Sequence, residues 1–554
     1  MRRVNRWIKM LRCFFSRSAW SAGILKRPQR AGPGRQPGLV LLQIDGLACS
    51  QFQRAMDKGC LPFLAHLVRR RRVELQPWYS GVPSTTPAFQ AELYYGVRTA
   101  VPAFAFVRRE NRTRFIMYDP DSARQIDKRL SSDRNGLLAG GTSYANIYAG
   151  GAEEARYCAQ TLDIPSLLRT VHPLRLLTVL VLHGGKFLNV FAFALIEACL
   201  ALYDFVFGVI GRHNILKELK FIPMRVGACI VLRELVRFHV KMDVDRGVKI
   251  IHANFLGYDE HAHRRGPSSA FAHWTLKGID RTIRDIYRSA RKSRRRDYRV
   301  VIFSDHGQEE TLSYERRFAR PVSEAIRTVF GSGPLASTGF PETFQIGTHA
   351  SLYERSRQQL LQCRRPKNAK FDILENIQVA ALGPLGHVYL PVVLSDRQKK
   401  RYASRLVREA NIPLVFFLLD NLVYVCDIEG CREISSAAGQ LLGKDHPYPI
   451  AVARDLEALC RHQDAGDFII SGWRSDSRPL TFSRECGSHG GPGRQETRGF
   501  LLLPEDINDC CGPVCRAAEL RQAMLRFMAQ KSESTIAAQG MDEGSLDNKH
   551  VAVS

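Results

Sequence analysis

A chain of 554 residues is longer than one ordinary domain and can bury a large core. Its 45% hydrophobic and 24% charged residues are those of a folded protein, which excludes wholesale disorder. Lys+Arg 80 against Asp+Glu 54 leaves a charge of +26, which favours anionic partners (phosphate esters, acidic lipid or nucleic acid) without choosing among them.

Residues 1–37 are basic and contain no acid, and Arg12 and Arg17 interrupt the one apolar stretch that could serve as a cleavable signal. We read them as a flexible basic arm able to lie on an anionic membrane surface. Short apolar runs then alternate with helical patterns. Residues 38–44 (GLVLLQI), 248–255 (VKIIHANF) and 299–303 (RVVIF) are nearly continuous in apolar side chains, as strands buried on both faces of a parallel sheet are. Residues 268–290 carry Phe271, Trp274, Leu276, Ile279, Ile283 and Ile286 at helical spacing, after a Gly266-Pro267 turn. Residues 498–503 (RGFLLL) predict one more strand. Strands separated by helices predict an α/β fold with a mostly parallel central sheet. The polar end, 532–554, reads as a disordered tail. The 14 cysteines form no CxxC pair and no regular spacing, which argues for buried thiols rather than a disulfide scaffold or a zinc ribbon.

Acids and histidines fall where these strands end. Asp45 follows the first (LLQIDG), Asp259 and His263 the second (NFLGYDEHAH), Asp305 and His306 the third (VVIFSDHGQ). Open α/β sheets bind ligands beyond the carboxyl ends of their strands, so three strands deliver carboxylates and imidazoles to one rim. A single Asp there is an ordinary turn residue; three, two of them with His, are not. Carboxylate oxygen and neutral imidazole nitrogen are ligands for divalent transition ions, zinc above all. His489, in the glycine-rich loop 486–494 (CGSHGGPGR), is a sixth donor. A hydroxyl nucleophile is available in 81–88 (GVPSTTPA), a loop that opens a helix.

The ordered set LLQIDG, PSTTP, GYDEHAH, SDHG and GSHGG resembles the alkaline phosphatase superfamily, in its type I phosphodiesterase and nucleotide pyrophosphatase branch, over about residues 39–504. The resemblance implies two zinc ions, or another divalent transition metal, and a phosphothreonine intermediate. Carried over by position, Asp45, Asp305 and His306 would hold one metal, and Asp259, His263 and His489 the other. Aligned from Pro83, the nucleophile is Thr86, which would also reach the first metal; aligned from Pro87 it is Thr85. The segment Thr86-Pro-Ala-Phe89 departs from the Phe-Pro-Asn that follows the nucleophile in nucleotide-cleaving members, so the Asn donor to the phosphoryl oxygen is missing. A sulfatase motif is absent too. Arg264, Arg265 and Arg494 could pair with phosphoryl oxygens, although solvated charge is the simpler role.

Other charged and imidazole side chains have plainer readings. His261 and Glu260 are neighbours of the site, Asp280 an exposed helix carboxylate, and His252, His387 and His446 hydrogen-bonded core residues. The basic runs 69–72 and 291–296 lack interleaved aromatics, which argues against nucleic acid.

The expected organisation is thus a basic arm (1–37), a catalytic domain in three parts (38–162, 243–339 and 463–531), a hydrophobic helical insertion (163–242), a cap (340–462) and a tail (532–554). The expected function is metal-dependent hydrolysis of a phosphoric ester, most simply a phosphodiester, on a small molecule or a lipid head group. Alternatives are a head-group transferase of the same fold and a non-catalytic protein bound to a membrane surface. Location is expected to be membrane-associated, peripheral or monotopic, or cytoplasmic. The almost uncharged stretch 173–210 cannot be a single span, because site residues lie on both sides of it in sequence. It is either a helical insertion packed on the protein or a monotopic hairpin in one leaflet. The hairpin predicts that the chain sediments with membranes and that deleting 173–210 abolishes this; a fully soluble wild type excludes it.

Overall fold

The computed structural model describes residues 30, 36–161, 227–331, 377–507 and 515–529. Most of the basic arm, the stretch 173–210 and the tail 532–554 lie outside the described residues.

Seven strands form the central sheet: β1 (Pro37–Ile44), β2 (Glu74–Tyr79), β3 (Thr142–Tyr144), β4 (Glu154–Arg156), β5 (Ile250–Phe255), β6 (Asp297–Phe303) and β7 (Arg498–Leu503). Their order is β2-β7-β6-β1-β5-β3-β4. β1 pairs in parallel with both β5 and β6, and β3 in parallel with β5 and β4. β7 alone runs the other way, antiparallel to β6 and β2. The sheet is therefore mostly parallel, as the unbroken apolar runs predict.

Every residue of β1 is buried. Val40, Leu42 and Ile44 join one core, with Phe52, Val240, Ile279 and Ile283, while Leu39 and Leu41 face the other, with Phe89, Tyr94 and Leu520. This alternation places helices on both faces. On the first face lie α1 (Cys49–Asp57), α2 (Pro62–Arg69), α4 (Arg233–Arg246) and α6 (Ala270–Lys292); on the second lies α3 (Thr86–Tyr95). α5 (Gly257–Arg265) continues directly from β5. Asp280 departs from its expected exposure: it is buried on α6 and accepts hydrogen bonds from Phe63 N and Leu64 N, both 3.0 Å, at the start of α2. An acid that satisfies orphan helix-start amides is stabilising when buried, which the helical periodicity alone does not reveal.

Between β6 and β7 the chain builds a second, six-stranded antiparallel sheet, in the order Gln378–Leu382, Leu385–Tyr389, Phe468–Ser471, Leu414–Leu419, Leu422–Asp427, Gly430–Glu433. Phe468–Ser471 sits at its centre, beyond the 462 boundary drawn from sequence. Cys426 and Cys431 face each other across two of its strands and are joined as a disulfide, an exception to the expectation of free buried thiols.

One buried cation fastens this body to the catalytic one. Arg516 contacts Asp455 Oδ1 of the helix Pro449–Cys460 and Glu92 Oε2 of α3, both at 2.9 Å. Asp455 Oδ2 in turn accepts from Tyr79 Oη (2.8 Å) and Val82 N (3.0 Å), just before α3. Removing the guanidinium leaves two buried carboxylates uncompensated. Arg516→Met is expected to lower stability by about 3–5 kcal/mol in denaturant unfolding; a loss under about 1 kcal/mol would mean that the network carries no such load.

Candidate metal centre

Residues far apart in sequence meet at the carboxyl ends of β1, β5 and β6. Asp45 follows β1, and the turn behind it requires glycine: Gly46 has φ +70°, and a Cβ there would collide with Asp259 Oδ1. Asp259 and His263 lie one helical turn apart on α5, so both side chains share a face. Asp305 and His306 follow β6. His489 arrives on the glycine-rich loop, just after Gly487–Ser488 pairs with Glu309–Glu310.

Two overlapping groups result. Asp45, Asp305 and His306 each offer a donor atom within 4.8 Å of the others, and so do Asp259, His306 and His489. His306 Nε2 stands 3.2 Å from Asp305 Oδ2 and 3.7 Å from Asp45 Oδ1. His263 Nε2 is 3.3 Å from Asp259 Oδ2, and its ring centre is 5.0 Å from that of His489. His306 rather than His263 completes the second close group, because its ring stacks on His489 at 3.8 Å. All six expected donors are thus in one place.

Of the two candidate threonines, Thr86 turns toward the acids. Its Oγ1 lies 3.5 Å from Asp45 Oδ1 and 3.3 Å from His306 Nε2. Thr85, at the N-cap of α3, buries its hydroxyl without a hydrogen-bond partner.

The electrostatics follow from burial and crowding. Burial first, then Asp305 and Asp259, raise Asp45 well above the ordinary carboxylate range. Burial also works against ionised Asp259 and Asp305, but nearby imidazoles outweigh it: His263 chiefly for Asp259 and His306 for Asp305, so both are held low. Burial disfavours a charged His306, yet Asp305 and Asp45 lift it to about 9. His489 goes the other way, down to about 3, through burial and the neighbouring His306. A proton on His306 therefore does the neutralising that a cation would do. Asp305 Oδ2 is buried and makes no well-aligned hydrogen bond, its ion-pair partner being His306 Nε2 at 3.2 Å. The donor chemistry and this oxygen both fit a divalent metal.

Sequence reasoning missed the groups that hold these donors in place. Asn254 Nδ2 donates to Asp45 Oδ2 at 2.6 Å, and Gln308 Nε2 donates to Asp259 Oδ1. Glu485 Oε2 is 3.3 Å from His263 Nδ1, while the Ser84 carbonyl pairs with His489 Nδ1 at 2.9 Å. Glu496 accepts from Gly491 N (2.8 Å), Gly493 N (2.7 Å) and Ser84 Oγ (3.1 Å), tying the His489 loop to the threonine loop. Polar Asn254, next to the end of a mostly apolar strand, was the one available signal; the others need the fold. His252, His387 and His446 are buried and hydrogen-bonded away from the site, to Tyr94, the Pro102 carbonyl and the Pro492 carbonyl. His261 is buried too, with Nδ1 2.8 Å from the Gly257 carbonyl. Arg494 lies 3.8 Å from Asp445 on the surface.

Comparison with known proteins finds one family and distant structural likenesses. The family model for type I phosphodiesterase / nucleotide pyrophosphatase matches residues 229–389, the part that carries Asp259, His263, Asp305 and His306. A phosphonoacetate hydrolase from Sinorhizobium meliloti, solved with phosphonoformate, is similar at 13% identity and a TM-score of 0.45, over 89% of this chain and 96% of that one. A murine ectonucleotide pyrophosphatase / phosphodiesterase 5, an inactive variant solved with AMP, is similar at 8% identity and a TM-score of 0.44, over 89% and 95%. No curated protein matches in sequence. The family that the scattered motifs resemble is the one whose model matches, over residues 229–389. Among the described residues, no helix is long and apolar enough to cross a membrane.

The His306 proton gives a pH dependence. Its folded value, about 9, lies above an unfolded value of about 6.5, so its stabilisation is complete below 6.5 and lost as pH climbs through 9. Chelator-treated protein is expected to lose thermal stability across that window. Apparent affinity for a divalent cation should rise over the same range, by at least about tenfold per pH unit, because His306 and His263, both held protonated by neighbouring carboxylates, must release their protons. Thermal melts and competition titrations at half-unit steps check both; a melting temperature that rises between pH 7 and 9 contradicts the assignment.

Proposed function

We propose that the protein is a phosphodiesterase that cleaves small phosphate diesters through Thr86, with two zinc ions held by Thr86 and the six donors around it. Asp45, Asp305 and His306 hold one ion with Thr86, and Asp259, His263 and His489 the other. When bound, the ions supply Lewis acidity that draws charge from the phosphoryl oxygens and acidifies the threonine hydroxyl. The observation that carries the reading is the setting of Thr86 Oγ1 between Asp45 and His306 at the head of a helix.

The chain's own residues do the rest. α3 begins at Thr86, so its unpaired first amides point toward the group that the hydroxyl attacks, where negative charge grows on the phosphoryl oxygens. A new bond forms from Thr86 Oγ1 to phosphorus as the bond to the leaving alcohol breaks and that alcohol takes up a proton in place of the one the hydroxyl loses, giving a phosphothreonine that still carries the second alcohol as an ester. Water then opens that ester from the opposite side and restores the hydroxyl, with net retention at phosphorus. Asn254 and Gln308 keep the Asp45 and Asp259 carboxylates turned inward. Their position under the acids supports a positioning role and leaves nothing for them to do to substrate. Counted from Thr86, Phe89 stands where nucleotide-cleaving members of the family carry Asn, which favours a non-nucleotide diester.

Turnover of bis-p-nitrophenyl phosphate by the zinc-loaded chain tests the reading. Thr86→Ala should reduce kcat by at least about a thousandfold, whereas Thr85→Ala should stay within about tenfold of wild type. A fully active Thr86→Ala variant would refute the nucleophile. Zinc bound at wild-type stoichiometry without turnover of any ester would refute the hydrolase.

A further inference from the structure

The helix α6 turns one stripe into the core and the opposite stripe to solvent, and the two differ in chemistry. Inward go Ala272, Leu276, Ile279, Ile283 and Ile286, all buried. Outward, at a spacing of three or four residues, come Lys277, Arg281, Arg284, Arg288, Arg291 and Lys292, exposed or half-buried. The row is about 22 Å long at the rise of an α-helix. The helix has two acids. Asp280 is buried on the inward side, and Asp285 is shared between Arg284 at 3.4 Å and Arg237 of α4 at 2.8 Å. Six cations beside one shared acid leave the outward face strongly positive. Trp274 heads the row, 45% exposed, with Lys277 Nζ 4.9 Å from its ring centre.

Topology sets where this face points. α6 starts just after α5, at the rim where the donors gather, and runs back to the start of β6, so Trp274 lies at the metal-centre end. The almost uncharged stretch 173–210 returns to the described structure at the same end, through the helical turn Gly227–Leu232. Leu232 lines one small internal cavity with Thr275 of α6, and a Cβ at Gly278 would collide with Arg233. Val231, just before them, is 42% exposed.

We infer that the outward face of α6 docks on an anionic lipid bilayer, with its cations over acidic head groups and Trp274 in the interface. The attraction comes from the summed charge of the row and needs no member of it to be unpaired. Tryptophan, with an apolar ring and a polar N–H, suits the boundary between water and hydrocarbon. An apolar segment that rejoins the fold beside the row favours the same partner. Duplex nucleic acid offers the charge but no apolar layer for Trp274 and Val231, and a helix with half its girth locked in a core cannot enter a groove. This inference goes beyond the proposed reaction and does not rest on it.

Co-sedimentation of the full-length chain with vesicles tests the inference. Partition should be stronger onto an equal mixture of phosphatidylcholine and phosphatidylserine than onto phosphatidylcholine alone, and should weaken as salt rises. Each basic residue near such a surface contributes about fivefold, so Arg288→Gln, Arg291→Gln and Lys292→Gln together should weaken partition by about a hundredfold. The charge-keeping pair Arg288→Lys with Arg291→Lys should stay within about threefold of wild type, which separates lost charge from a damaged helix. Brominated lipid in the mixed vesicles should quench tryptophan fluorescence, and Trp274→Phe should reduce that quenching. Equal partition onto neutral and mixed vesicles, partition indifferent to the triple substitution, or quenching unchanged by Trp274→Phe overturns the proposal. A triple variant that loses binding to duplex DNA but keeps the vesicles overturns it in favour of nucleic acid. No arm of the test reads turnover, so a failed phosphodiesterase assay leaves it standing.

Discussion

Three carboxylates cannot be buried within reach of one another unless positive charge stands among them, and the catalytic body is arranged around that constraint. Asp45, Asp259 and Asp305 are all buried or nearly so. In the metal-free chain, imidazoles compensate them, and the compensation is uneven: Asp259 and Asp305 are held low, Asp45 is pushed high, and His306 retains its proton to about 9. A dication bound among these carboxylates would expel the proton that they hold on His306. The same crowding that makes the bare cluster expensive makes it a strong cation trap.

Holding such a cluster needs rigid delivery, and each donor has its own support. Asp45, Asp305 and Asp259 come from the ends of three adjacent parallel strands, or from the helix one of them feeds, so their spacing is that of the sheet. His489 lacks a strand of that kind. Its loop is fixed instead by the Glu496 carboxylate and by Ser84, which belongs to the threonine loop. The last donor and the hydroxyl we propose as nucleophile are therefore placed by the same few hydrogen bonds. A disturbance of either loop reaches the other.

The central sheet and the six donors were legible in the sequence because both rest on local patterns. Apolar runs of four to eight residues announce doubly buried strands, and an acid directly after each run marks the rim. The supports were illegible because they join residues far apart in sequence: Glu485 with His263, Ser84 with His489, Arg516 with Glu92 and Asp455. Asp280 shows the limit well. Its helical spacing looks like that of any solvent-facing acid, and only the start of α2 packed against it, some 216 residues earlier, makes it an internal cap. The second sheet was hard to bound for a related reason. Its central strand Phe468–Ser471 is contributed last, after helices that read as the end of the insertion.

The order of the chain has one more consequence. After β6 the polypeptide leaves the central sheet and does not rejoin it until β7, and His489 is supplied only on the way back. A nascent chain still emerging from the ribosome, or one clipped anywhere in the second body, owns Asp45, Asp259 and Asp305 but not the imidazole and loop that finish their enclosure. On the function proposed above, such a fragment would have no activity. Turnover would thus act as a certificate of completed synthesis, issued only when the two ends of a very long detour have closed.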